Sequence, residues 1–398
     1  MTIEIGVASS EAEVEAAAEV FRVAMVGIPP RDVPAGEVNE PGRTLLARVD
    51  GIPAGAATAY TGRLVVPGGA RVPHAGVTRV GVLPTHARRG VGSALLRRQL
   101  ADIADRGEVV AGLRATQGGI YERFGYGVAS RSAAVRVDTA AARLRPTLPP
   151  SGPVRYAERA TAFATLAKIH ARLELSRPGE IDRSPYWWRT RELFDSGDSH
   201  VVLHGEPGAE DGFLRYRAVD TTDWPRSTGR AVRVGDLVAG SPVALLGLLR
   251  HLFALDIVHR VEFPMVATDF PLAELVTDER AVTVTGIGDE TWLRLVDVPA
   301  ALASRGYRPA EPVLLGITDP ILPGNSGTYR VSAGETARTD AEPELTADVS
   351  ALAAAYLGGT PWRHLVLAGR AAEQRPGAAA AADALFGTAA PPFSGTFF

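Results

Sequence analysis

One stretch constrains this chain more than any other. Val77-Thr78-Arg79-Val80-Gly81-Val82 reads as a strand, Leu83-Pro84-Thr85-His86-Ala87-Arg88-Arg89 as a turn, and Gly90-Val91-Gly92-Ser93 opens a helix that Gly107 ends. A further strand at 109–113 completes a β–α–β crossing. Gly90 and Gly92 leave the first backbone N–H groups of the helix unobstructed, and the helix dipole favours negative charge there. Arg88 and Arg89 add positive charge at the same place. The stretch is an anion cradle. It is not a dinucleotide fingerprint, because Leu95 stands where the third glycine belongs. Nor is it a P-loop, since the only lysine in the chain is the distant Lys168.

A degenerate copy of the pattern lies downstream. The strand at 232–238, Pro242, the helix at 243–253 and the strand at 258–263 repeat the order, with Leu248-Leu249-Arg250 echoing Leu95-Leu96-Arg97. The loop of this copy, Ala239-Gly240-Ser241-Pro242, is short and carries no arginine. With 398 residues the chain is too long for one domain, and the proline-rich stretch 146–153 reads as a linker. The expected organisation is therefore 1–138, 139–289 and 290–398, in an α+β class. Hydrophobic residues at 46%, charged residues at 22% and a net charge of −3 exclude disorder and argue against a nucleic-acid partner. No cysteine is present, which removes disulfides, thiolate nucleophiles and cysteine-bearing metal sites. No basic leader and no apolar run long enough to span a membrane are visible, so a cytoplasmic protein is expected.

Val80-Gly81-Val82 and Ala87-Arg88-Arg89-Gly90-Val91-Gly92 resemble the acetyl-CoA site of the GNAT acyltransferases, with Ala87 standing where Arg or Gln is usual. Gly118-Gly119-Ile120-Tyr121-Glu122-Arg123-Phe124-Gly125-Tyr126-Gly127 and the aromatic end Phe397-Phe398 narrow the likeness. The whole chain resembles the Eis (enhanced intracellular survival) family of N-acetyltransferases. That resemblance implies tandem GNAT domains, the second one degenerate, and a C-terminal sterol carrier protein-like domain. It implies acetyl-CoA as co-substrate, no metal, an amine acceptor of which aminoglycosides are one class, and a hexamer. The backbone of Val80, Gly81 and Val82 would pair with the pantetheine. Arg88, Arg89, Gly90, Val91, Gly92 and Ser93 would wrap the pyrophosphate, with Thr116 added to the cofactor-binding set.

By the same resemblance Tyr121 is the general acid and the terminal carboxylate of Phe398 the general base. A phenol of pKa ~10 can supply the proton the leaving thiolate needs if held against the sulfur. A terminal carboxylate, at ~3.5, is a weak base for an ammonium of ~8–10, so it works through a water or with a pKa that burial raises. The remaining candidates carry less. His200 and His204 fall on a strand, ~13 Å apart, and make no metal site. His86 is read as a solvated turn residue, and Trp187-Trp188 as packing of the second domain. Asp32, Glu37 and Glu40, in the loop after Ile28, are candidates to hold a cationic substrate. The rival readings are a lysine or polyamine acetyltransferase, a non-catalytic acyl-CoA-binding regulator, and a lipid binder acting through the third domain.

Overall fold

Ser10-Glu11-Ala12-Glu13 has the sequence of a capping box, and Ser10 starts the first helix. Its Oγ accepts the Glu13 N–H at 3.3 Å, and the Glu13 carboxylate accepts the N–H of Ser9 at 2.9 Å. The Ser9 N–H and Arg48 hold the Glu13 carboxyl down at about 2. This helix, α1 (Glu11–Ala24), turns Ala17 and Val20 inward. In the computed structural model, which describes residues 2–29, 33–195 and 197–398, α1 packs on a sheet through Gly81. A Cβ there would stand 3.0 Å from that of Ala24.

The chain folds into two compact units: Met1–Ser130, Ser176–Arg189 and Asp289–Phe398 form the first, and Arg131–Leu175 with Thr190–Gly288 form the second. The first unit's main sheet contains β1 (Ile3–Val7), β2 (Leu45–Val49), β3 (Ile52–Val65), β4 (Arg71–Val82), β5 (Val110–Leu113) and β6 (Gly127–Val128). Between β5 and β6 lies Trp292–Leu295, a strand from much later in the chain, antiparallel to both. Among the described residues the only parallel rungs in this sheet join β4 to β5, through the crossing helix α2 (Val91–Asp105).

The C-terminal part of the first unit adds a five-stranded sheet in the order Thr336–Thr339, Gly327–Val331, Val313–Thr318, Leu345–Asp348, Ala371–Glu373. Its core is continuous with the first sheet: Leu64, Val72 and Val110 share one apolar cluster with Leu352, Tyr356, Trp362 and Leu385. The helix Val349–Tyr356 is buried on every side, as its run of alanines permits. Gly127 lies directly beneath it, where a Cβ would meet the Ser350 carbonyl oxygen at 2.1 Å. Gly125, at φ +83, is pressed against Arg294, which forms a fully buried pair with Asp319. The Gly-Tyr-Gly motif thus seats the C-terminal segment. Arg305 is buried nearby and donates to the last carbonyls of two helices, Tyr356 and Phe386, where the helix dipoles favour a cation.

The second unit holds seven strands in the order Val282–Asp289, Arg131–Asp138, Arg260–Ala267, Ala231–Ala239, Gly212–Val219, His200–His204, Val154–Tyr156. Ala231–Ala239 and Arg260–Ala267 are parallel and are joined through the helix Pro242–Phe253, the counterpart of β4–α2–β5. Two placements differ from the sequence reading. The strand Arg131–Asp138, expected with the first segment, pairs with Arg260–Ala267. Its alternation of Ala133, Val135 and Val137 specifies a buried face but not which sheet supplies the partner. The segment Ser176–Arg189, expected with the second domain, belongs to the first unit, and Trp187 with it.

Candidate active site

The β4/β5 ladder runs from His74/Val110 to Val77/Leu113 and stops. Beyond it β4 continues through Thr78–Val82 while β5 has ended, so the side of β4 facing β5 is released from the sheet. A bulge marks the change: the register against β3 shifts between Ala56 and Thr58, and Arg79 adopts φ +51. Val80, Gly81 and Val82 lie on this released stretch. Arg79 is fixed by donating to the Val38 carbonyl and the Asn39 side chain, each at 2.7 Å.

The anion cradle follows directly. Arg88 (φ +60) and Gly90 (φ +86) take the left-handed conformation, which turns the chain sharply into α2. Gly90 is the N-cap and no side chain caps the helix, so the N–H groups of its first turn have no intrahelical acceptor. Arg88 and Arg89 are exposed beside them. Gly92 faces β4, where a Cβ would stand 3.5 Å from Val82, in ordinary contact. Val91 is buried and Ser93 half-buried in the same turn, and Thr116 is exposed on the loop after β5. A released strand edge leading into an uncapped, arginine-flanked helix N-terminus fits a ligand with amide groups at one end and phosphates at the other.

Tyr121 and Phe398 meet this ladder from different sides. Tyr121 is buried in a cluster with Ala75, Val77 and, from α2, Leu96 and Leu100. Its ring lies 6.5 Å from that of Trp292, which is paired with Leu113. Burial pushes its phenol up from the ordinary value. Gly76, between Ala75 and Val77, faces the other way. A Cβ on it would stand 3.5 Å from the Phe398 ring. Gly76 is paired with Gly112, and the two glycines make a floor on which His74 and Phe398 pack edge to face, ring centres 6.2 Å apart.

The residues holding the C-terminus were not legible in the sequence. The Glu290 carboxylate accepts the N–H groups of Ser394 and Gly395, at 3.1 and 2.9 Å, the Ser130 hydroxyl, and Arg114. Arg114 also donates to the Thr396 carbonyl. Arg183 donates to the Thr396 hydroxyl at 3.1 Å and Trp187 to the Phe397 carbonyl at 2.8 Å. Trp187 therefore serves the tail rather than the second domain, and the Phe397 side chain is 57% exposed even though its carbonyl is held. Of the acidic candidates, Glu37 is taken by Arg189 at 2.6 Å, and Glu40 accepts from the N–H and hydroxyl of Thr61 at 2.8 and 2.7 Å. Asp32 lies outside the described residues. Among the described residues no group of three or more His, Asp or Glu could hold a metal.

The corresponding place in the second unit is already filled. Asp211 accepts the Ser241 hydroxyl at 2.9 Å and His204 Nδ1 at 2.6 Å, and Ser241 Oγ caps the helix at Ala244. Leu173 covers Gly240, with its Cδ2 2.6 Å from where a Cβ would be. In this turn a serine cap held by Asp211, with Leu173 against Gly240, stands where the first unit has an uncapped helix flanked by arginines.

Comparison with known proteins identifies the domains and the family. Residues 8–129 and 179–295 each match the acetyltransferase (GNAT) domain, and 298–395 the sterol carrier protein domain. An uncharacterized N-acetyltransferase of Streptomyces avermitilis is 37% identical over 85% of both chains. The N-acetyltransferase Eis of Mycobacterium tuberculosis is 35% identical over 74% of this chain and 73% of its own. The crystal structure of Eis1 from Mycobacterium abscessus superposes with a TM-score of 0.92 at 47% identity, covering 99% of this chain and all of that one. With its tandem acetyltransferase domains and acetyl-CoA as co-substrate, the chain belongs to the Eis family of GNAT N-acetyltransferases.

Proposed function

We propose that the protein acetylates amines of aminoglycoside-type polyamines, with Tyr121 as general acid and the terminal carboxylate of Phe398 as general base. The observation that carries the assignment of roles is the approach of these two residues to opposite sides of the β4/β5 ladder end. Bound acetyl-CoA supplies a thioester whose carbonyl carbon an amine can attack. Val80–Val82 and the Arg88–Ser93 turn hold that ligand through the released strand edge and the uncapped helix. The Phe398 side then serves the incoming amine, whose proton the carboxylate takes, directly or through a water.

Tyr121 serves the departing sulfur. Burial keeps its phenol protonated through the neutral range, and the same dry surroundings raise the basicity of a thiolate beside it. The acceptor class and a hexameric assembly rest on the family resemblance, and a cytoplasmic enzyme on the expectation from the sequence. Because Glu37 and Glu40 are engaged by Arg189 and Thr61, we do not assign them to the acceptor.

Thiol release from acetyl-CoA, measured with kanamycin-type aminoglycosides beside polyamines and a lysine peptide, tests the acceptor. Release that depends on an aminoglycoside supports the assignment; release with the other amines alone transfers the chemistry to them. Tyr121→Phe tests the acid: kcat should fall by about 10²–10⁴-fold, with the affinity for acetyl-CoA kept. Unchanged turnover would leave the protein an acyl-CoA binder that does not use Tyr121.

A further inference from the structure

We propose that Glu290 and Arg114 are positioning residues, a buried ionic latch that sets the register of the C-terminal tail and so the place of the Phe398 carboxylate. The inference rests on the reading of that carboxylate as the base. Residues 391–398 carry no secondary structure, and none of their side chains is charged. Their placement depends instead on backbone groups meeting a fixed receptor. The successive N–H groups of Ser394 and Gly395 converge on the Glu290 carboxylate, as consecutive amides do around an anion, and Gly395, at φ +66, turns the chain on from there to Thr396.

The Glu290 side chain is fully buried and that of Arg114 is 7% exposed. Arg114 is hydrogen-bonded to Glu290 on one side and to the Thr396 carbonyl on the other, so one guanidinium ties the receptor to the residue two positions before the terminus. The receptor belongs to the body of the first unit. Glu290 immediately precedes the pair Thr291-Trp292, where the inserted strand begins, and Ser130, which donates to Glu290, receives the Thr291 N–H at 3.1 Å. A one-residue slip of the tail would move the terminal carboxylate by ~3.4 Å, more than the displacement of ~1 Å that can cost 10²-fold in rate. The latch opposes that slip, because in another register the buried Glu290 carboxylate gives up the N–H groups of Ser394 and Gly395 and Arg114 gives up the Thr396 carbonyl.

The test uses the full chain with Glu290→Gln, which removes the charge, and Ser394→Pro, which removes a tail N–H and leaves the receptor intact. Two quantities are read: the rate at which a carboxypeptidase releases Phe398, by mass spectrometry, and kcat against KM for acetyl-CoA. Release should quicken at least ~10-fold and kcat fall ~10–10²-fold, with KM changed less than ~2-fold. Glu290→Asp, which keeps the charge, should recover part of the loss. Native resistance in both Glu290→Gln and Ser394→Pro overturns the proposal, and so does faster release with unchanged kcat. A chain ending at Thr396 separates the two readings. If it keeps full turnover, the carboxylate is not the base; if it is silent while the latch variants behave as native, the base stands and the latch falls.

Discussion

The ring of Phe398 rests on Gly76, 3.5 Å from where a Cβ would project. That distance is ordinary van der Waals contact for one methyl group and leaves no room for two. Gly76→Ala should therefore be tolerated, with turnover within a few-fold of native. Gly76→Val should lift the ring and its carboxylate, lowering kcat by about 10²-fold while acetyl-CoA still binds at the other end of β4. Steady-state kinetics on the pair would check this, and equal turnover in both would contradict the packing argument.

One chain should bind one acetyl-CoA. The Arg88–Ser93 turn presents uncapped N–H groups, whereas the helix Pro242–Phe253 is capped by Ser241, itself held by Asp211. Burial opposes ionisation of Asp211, yet the hydrogen bonds from His204 and Ser241 hold its carboxyl below the usual range. That charge would repel a phosphate. Titration calorimetry should give a stoichiometry of about one per chain, and two equivalent sites would contradict the assignment.

His74 should make the first unit acid-sensitive. Burial, with the Arg43 charge in addition, holds its imidazole down at about 3, against 6.5 for a free histidine. The native state then keeps His74 neutral while the unfolded chain takes up a proton as the pH falls below 6.5. The stabilisation is complete above pH 6.5 and is lost toward pH 3, by up to ~1.4 kcal/mol per pH unit. The thermal midpoint of His74→Phe should fall less steeply than that of the native protein between pH 6.5 and 4. Parallel profiles would show that His74 does not titrate on unfolding.

Local chemistry was legible in the sequence. The Ser10 cap, the helix Val91–Asp105, the Arg88–Ser93 turn and the repeated strand–helix–strand all follow from periodicity and from glycines where the backbone needs them. Strand continuity was less legible. The apolar runs read as separate short strands at 54–60 and 63–66, and at 71–74 and 77–82, on either side of Gly62 and of Gly76. The chain instead runs straight through both positions, as β3 and β4. Gly62 lies against Asp182 and Gly76 against Phe398, neighbours that come from far along the chain. The latch was hidden for a related reason. Glu290 and Arg114 are ordinary charged residues until the tail returns to them, and the tail offers only backbone to bind.

If the terminal carboxylate of Phe398 takes the proton from the acceptor amine, as proposed, its removal should slow the chemical step and spare cofactor binding. The most direct test is a single-turnover measurement of acetyl transfer by a chain ending at Thr396, which keeps the tail segment that Glu290, Arg114 and Arg183 hold. Acetyl-CoA should bind with native affinity and acetyl transfer should slow by about 10²–10⁴-fold. Native transfer rates from that chain would contradict that role for Phe398.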